Sequence, residues 1–184
     1  MRIIAGYLGG RTIESPHAKS THPMSERVRG ALFNSLGDID GLTFLDAFTG
    51  SGALAFEAIS RGAAGGVALD TDRSATNACL ESASKLKLNK RKMEIIQSNC
   101  FIWASHHSDR EFDLIFADPP YDAYKEFNKL PLLLSNIKKD GLLVVSTPPK
   151  NVASDNLLGS NESLREIARN NYGDAELVFY RLIS

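Results

Sequence analysis

The sequence predicts an α/β fold: a doubly wound, mostly parallel sheet preceded by a small hairpin-and-helix extension. Three observations carry that prediction. Strand-like and helix-like segments alternate from residue 41 to residue 145, the pattern of a parallel sheet with helices on both faces. A glycine turn, Gly50-Ser51-Gly52, follows the first strand of that series and opens its first helix. Near the end, two strand-like segments flank Asn170-Asn171-Tyr172-Gly173-Asp174, a run with turn chemistry, and predict an antiparallel hairpin.

The elements follow in order. Residues 1–40 read as the extension and 41–184 as the core of a single domain, since 184 residues suit one domain with a full core. Ile3-Ile4 and Thr12-Ile13, separated by glycines, predict a short hairpin outside the main sheet. Residues 15–23 are polar with a proline at each end, which predicts a loop. Ser25 can cap a helix in which Val28, Ala31, Leu32, Ser35 and Leu36 recur at helical spacing. The core opens with a buried strand over 42–47 and a helix over 53–60. A second strand, 67–69, ends at Asp70, and a helix spans 73–88. Residues 93–96 form the third strand. The fourth, 112–117, is the most apolar and so central. A helix over 123–137 and a fifth strand over 142–145 complete the alternation, before hairpin strands over 164–169 and 175–183.

Composition excludes several classes. The chain is 43% hydrophobic and 23% charged, which argues against disorder. Its formal net charge of −1 argues against wrapping naked nucleic acid by charge alone. Cys79 and Cys100 match no metal-ligand or redox spacing and read as small hydrophobes in a reducing compartment. No metal is expected. The opening residues carry no long apolar run or cleavage pattern, and no stretch is long enough to span a bilayer. A cytoplasmic protein without membrane contact is expected.

The glycine turn marks a nucleotide-type site, because ligands of open α/β sheets bind at the carboxyl ends of strands. Asp70, twenty positions after Gly50 and just past the second strand, can accept hydrogen bonds from ribose hydroxyls. Both NAD and S-adenosylmethionine fit that pattern. Asp46 favours the second. A carboxylate at the end of the first strand repels a diphosphate but suits the ammonium group of a methionine moiety. The plain structural alternatives are a turn cap for Asp46 and a solvated strand end for Asp70.

Asp118-Pro119-Pro120-Tyr121, after the fourth strand, is the most specific motif. Two prolines fix the backbone and leave rigid outward carbonyls. The exocyclic amine of a base is a poor nucleophile, its lone pair delocalised into the ring. If the Asp118 carboxylate and the Pro119 carbonyl accept its hydrogens, the lone pair can be aimed at a methyl donor. Tyr121 supplies a ring on which an extruded base can stack. A rigid turn without chemistry is the alternative for the tetrapeptide alone. An NAD-dependent oxidoreductase would leave it unexplained, and DNA (adenine N6) or protein-glutamine amino methyltransferases share a similar one.

With these residues in place, the chain resembles the class I S-adenosylmethionine-dependent methyltransferases that act on amino nitrogens. Within them it is similar to the bacterial 16S ribosomal RNA guanine-N2 methyltransferases. The narrowing motifs are Glu26-Arg27-Val28-Arg29-Gly30-Ala31-Leu32-Phe33-Asn34 and Ser60-Arg61-Gly62-Ala63. The resemblance implies the Rossmann-like class I methyltransferase fold, with about seven strands and the last antiparallel. It implies that S-adenosylmethionine is held by Asp46, Phe48, Gly50, Ser51, Gly52, Asp70, Thr71, Asn99, Cys100 and Asp118. Asp118, Pro119, Pro120 and Tyr121 would form the target-base pocket. The substrate implied is ribosomal RNA, free or within the assembled small subunit. Two departures stand out: His22-Pro23-Met24 where the family usually has Arg-Pro-Thr, and Ser146 where relatives often carry a glutamate.

For RNA, Arg2, Arg11, Lys19, Arg27 and Arg29 make the extension basic, and folded over the carboxyl end of the sheet it would bring phosphates to the pocket. His17 and His22 add donors there. Lys85, Lys87, Lys90, Arg91 and Lys92 precede the third strand, at the opposite end, and read as a solvated edge.

Overall fold

The computed structural model describes residues 1–16, 24–120, 128–148, 158, 161–173 and 175–183. Its centre is a seven-stranded sheet in the order β3-β2-β1-β4-β5-β7-β6. The strands are β1 (Thr43–Asp46), β2 (Gly65–Asp70), β3 (Met93–Gln97), β4 (Phe112–Ala117), β5 (Ile137–Thr147), β6 (Leu164–Asn171) and β7 (Glu176–Leu182). The first five pair in parallel, whereas β7 lies antiparallel between β5 and β6. The buried runs Phe44-Leu45, Val67-Ala68-Leu69 and Leu114-Ile115-Phe116 show no polar alternation, because helices cover both faces of these strands. Chain order reverses between β1 and β4, and ligands of such sheets bind in the crevice at that point.

Helix α1 (Glu26–Leu36) starts as expected, with Ser25 Oγ accepting from Val28 N–H at 3.3 Å. Helices α2 (Ala53–Ser60) and α3 (Arg73–Lys85) follow β1 and β2. Every residue of α2 is buried. Among the described residues no helix is long and apolar enough to cross a membrane.

Three expectations need correction. Helix α4 (Cys100–His106) stands where none was predicted, capped by Asn99. The predicted helix over 123–137 is, in its described part, a 3-10 helix at Leu130–Asn136, with Pro131 in its first turn. Ile137 already belongs to β5, paired with Phe112. That makes β5 eleven residues long rather than four. Its polar first half, Lys138-Lys139-Asp140, hides the strand in the sequence, and Lys138 Nζ pairs with Asp113 at 2.9 Å.

The third correction concerns the extension. Its hairpin is outside the sheet as predicted, joined by one antiparallel bridge between Arg2 and Thr12. It packs along α2, while Met1 reaches Ser51 of the glycine turn and Met24 the carboxyl end of β4. Glu57, fully buried, accepts from the amides of Ile4 (2.8 Å) and Ala5 (3.1 Å) and from Arg61 Nε at 2.8 Å. Ser60 takes the Tyr7 and Leu8 amides. Gly6 has φ +80° and packs on the Ser60 carbonyl so closely that a Cβ would collide with it. Arg29, expected to face RNA, is 1% exposed. Its guanidinium lies 3.6 Å from Glu57 and donates to the carbonyls of Arg2 and Met24. A charge this deep survives because anion and carbonyl partners surround it.

Candidate active site

Three carboxylates gather at the carboxyl ends of neighbouring strands. Asp46 ends β1 and is 1% exposed. Its Oδ2 accepts from Thr49 Oγ1 at 2.9 Å, while Oδ1 is buried with no partner. Burial pushes this carboxyl up to about 7, and the nearby charges of Asp118 and Asp70 add to the rise against the Thr49 hydrogen bond. Asp70 ends β2. Its Oδ2 accepts from Gly50 N–H at 2.8 Å and its Oδ1 from Asp72 N–H at 2.9 Å. It therefore ties the glycine turn to the second strand.

The turn is fixed from several sides. Thr49 N–H donates to the Leu69 carbonyl at 2.8 Å, and Cys79 Sγ donates to the Gly50 carbonyl at 3.3 Å. Gly52 has φ +79°, and a Cβ there would strike Phe56 and Cys79. At Gly50 a Cβ would meet nothing within 4 Å, so that backbone is open to a ligand. Burial pushes the Cys79 thiol up to about 12, so it stays protonated and serves as a donor.

Asp118 leaves β4 half-buried, with Pro119 buried and Pro120 exposed behind it. Burial pushes its carboxyl up to about 6, against a hydrogen bond from Ser146. The two line a small apolar cavity with Met24, Leu32, Leu54, Phe116, Val144 and Leu177. The turn between β6 and β7 is at the same end, since Thr147 pairs with Glu176, and Arg27 donates to the Tyr172 carbonyl there at 2.6 Å.

The remaining predicted residues divide. Phe48 is half-buried and meets Phe101 edge-on at 6.0 Å. Ser51 is buried, its hydroxyl 3.5 Å from Met1 Sδ. Thr71 is exposed beside Asp70. Asn99 Oδ1 accepts from the amides of Phe101 and Ile102, and Cys100 is 2% exposed, so these two offer a ligand mainly backbone. Arg2, Arg11 and Arg27 are on the surface, Arg2 paired with Glu26 at 3.1 Å. Tyr121, Lys19, His17 and His22 lie outside the described residues. Sequence reasoning missed Glu57 as the anchor of the hairpin and Ser146 as the partner of Asp118.

A cationic amino-acid moiety fits this end of the sheet. The unpartnered Oδ1 of Asp46 is a buried acceptor that an ammonium group would satisfy. The open backbone at Gly50 leaves room beside it.

Comparison with known proteins agrees. The model of the family "Conserved hypothetical protein 95" matches residues 1–181. The chain belongs to this family. It is 33% identical over 151 residues to "Ribosomal RNA small subunit methyltransferase D" of Haemophilus influenzae, covering 80% of this chain and 78% of that one. The protein of the same name from Buchnera aphidicola (subsp. Acyrthosiphon pisum) is 34% identical over 151 residues, with the same coverage. The solved structure of yhhF from Escherichia coli superposes with a TM-score of 0.84 at 26% identity, covering all of this chain and 98% of that one. This member of the family is a methyltransferase of the Rossmann-like class I fold.

Proposed function

We propose that the protein transfers a methyl group from S-adenosylmethionine to the exocyclic N2 amine of a guanine in small-subunit ribosomal RNA. One observation carries the reading. The pairing of β1 with β4 brings Asp46, with its unpartnered oxygen, near Asp118, which lines a small apolar cavity. The relatives named small-subunit ribosomal RNA methyltransferases supply the substrate class. That substrate calls for a cytoplasmic enzyme that meets the RNA free or within the assembled small subunit.

Bound S-adenosylmethionine supplies an electrophilic methyl group on a sulfonium. Asp46 and the turn Gly50-Ser51-Gly52 hold its methionine end, Asp70 and Thr71 its ribose, and Phe48, Asn99 and Cys100 border its adenine. Asp118 and the Pro119 carbonyl accept hydrogens from the target amine and align its lone pair, and the Asp118 carboxylate takes the proton released on transfer. Tyr121 offers a stacking face for the flipped base. Residues 1–40 act with the core as one unit, since Glu57 of α2 holds the hairpin.

Transfer of tritium from labelled cofactor to ribosomal RNA, free and in the small subunit, tests this, followed by nucleoside analysis. N2-methylguanosine is expected, and N6-methyladenosine would overturn the choice of base. Asp118→Ala is expected to lower turnover about a hundredfold or more while leaving S-adenosylhomocysteine affinity within about tenfold. Near-normal turnover in that variant would remove Asp118 from the mechanism.

A further inference from the structure

Ser146 lies on β5 one residue beyond Val145, and Val145 pairs with Ala117 on β4. This register sets positions 118 and 146 side by side where the two strands end. Ser146 is 2% exposed, its hydroxyl donates to the Asp118 carboxylate, and both side chains line the cavity. Asp118 has left the strand, and rotation about an aspartate Cβ–Cγ bond is soft. Its carboxylate plane therefore needs an outside group to fix it.

We propose that Ser146 is a positioning residue, whose hydroxyl holds the Asp118 carboxylate in the one orientation that presents its remaining lone pairs to the target amine. The proposal rests on Asp118 acting on that amine. Among the described residues, the other lining side chains cannot take this part. Helix α1 presents Leu32, the residue before its Ser25 cap is Met24, α2 presents Leu54 and β7 presents Leu177, all apolar. Asp46 on β1, when ionised, is an acceptor and repels Asp118. A carboxylate at 146 would add a further like charge, and the pair would share a proton. The serine hydroxyl donates without one.

Wild type, Ser146→Ala, Ser146→Thr and Asp118→Asn are compared in single-turnover methylation of ribosomal RNA from about pH 5 to about pH 9. S-adenosylhomocysteine affinity is measured by calorimetry. Ser146→Ala is expected to lower the maximal rate about ten- to a hundredfold, with RNA KM and ligand affinity within about twofold. Its acid limb moves to higher pH, because the ionised form of Asp118 has lost a donor. Ser146→Thr restores both rate and limb. Full rate with an unmoved limb in Ser146→Ala, an equal loss of ligand affinity, or no rescue by threonine would each overturn the proposal. Asp118→Asn separates the two readings. If it is inactive while Ser146→Ala is normal, only the role of Ser146 falls. If it turns over normally, the assignment of Asp118 falls as well.

Discussion

Burial lifts the Asp46 carboxyl from 3.8 to about 7, so the folded apo-protein holds a proton that the unfolded chain gives up. Below about pH 4 both states are protonated and the fold keeps its full stability. Stability falls as pH rises, and the loss is complete above about 7, with a total of a few kcal/mol. Asp46→Asn removes this dependence. Chemical denaturation should find the variant close to wild type near about pH 4 and clearly more stable by about pH 8. A gap that stays constant with pH would contradict the effect of burial. The same carboxyl governs ligand binding. An ammonium group pairs only with its ionised form, so the gain in Tm with S-adenosylhomocysteine should grow between about pH 5.5 and about pH 8.

Among elements, the junction of hairpin, α1 and α2 concentrates charge in the interior. Arg29, Glu57 and Arg61 meet there, with Arg61 also over the Phe33 ring at 5.1 Å. Arg29→Ala leaves Glu57 short of one cation and strands two backbone carbonyls, so a loss of about 3–5 kcal/mol is expected in urea denaturation. RNA affinity of the folded variant should hold, because the side chain never reaches the surface. The burial of Arg29 was legible in part: Leu32 and Phe33, three and four residues on, share its face. Strands β1, β2 and β4 were plain because apolar runs end at Asp46, Asp70 and Asp118, the last beside two prolines. Helix α4 was not, since seven residues barely complete two turns, although Asn99 is a cap signal. Leu130, Leu133 and Leu134 have helical spacing, but Pro131 and the pairing of Ile137 with Phe112 make the segment a 3-10 turn leading into a strand. The contact of Asp118 with Ser146 depends on strand register, which spacing along one chain does not encode.

Across the whole molecule, Arg2 and the lysines before β3 sit at different ends. Arg2 stands near the start of α1, paired with Glu26, and the same helix start brings Met24 to the cavity. Lys87 and Lys90 precede β3, at the amino ends of the strands. Replacing Arg2 and Arg11 by alanine is expected to raise the RNA KM and lower its salt slope by about one for each phosphate no longer neutralised. Replacing Lys87 and Lys90 should change neither. The opposite outcome would move the docking face to the far end of the sheet. The grip of Glu57 on Ile4 and Ala5 also gives the molecule an internal reporter. Those two amides lie outside any strand, yet they bond to a carboxylate sealed from water. Their protons can exchange with deuterium only when the hairpin lifts from α2 as a unit. Both should exchange at one common slow rate, and that rate measures how often the extension opens while the sheet beneath stays closed.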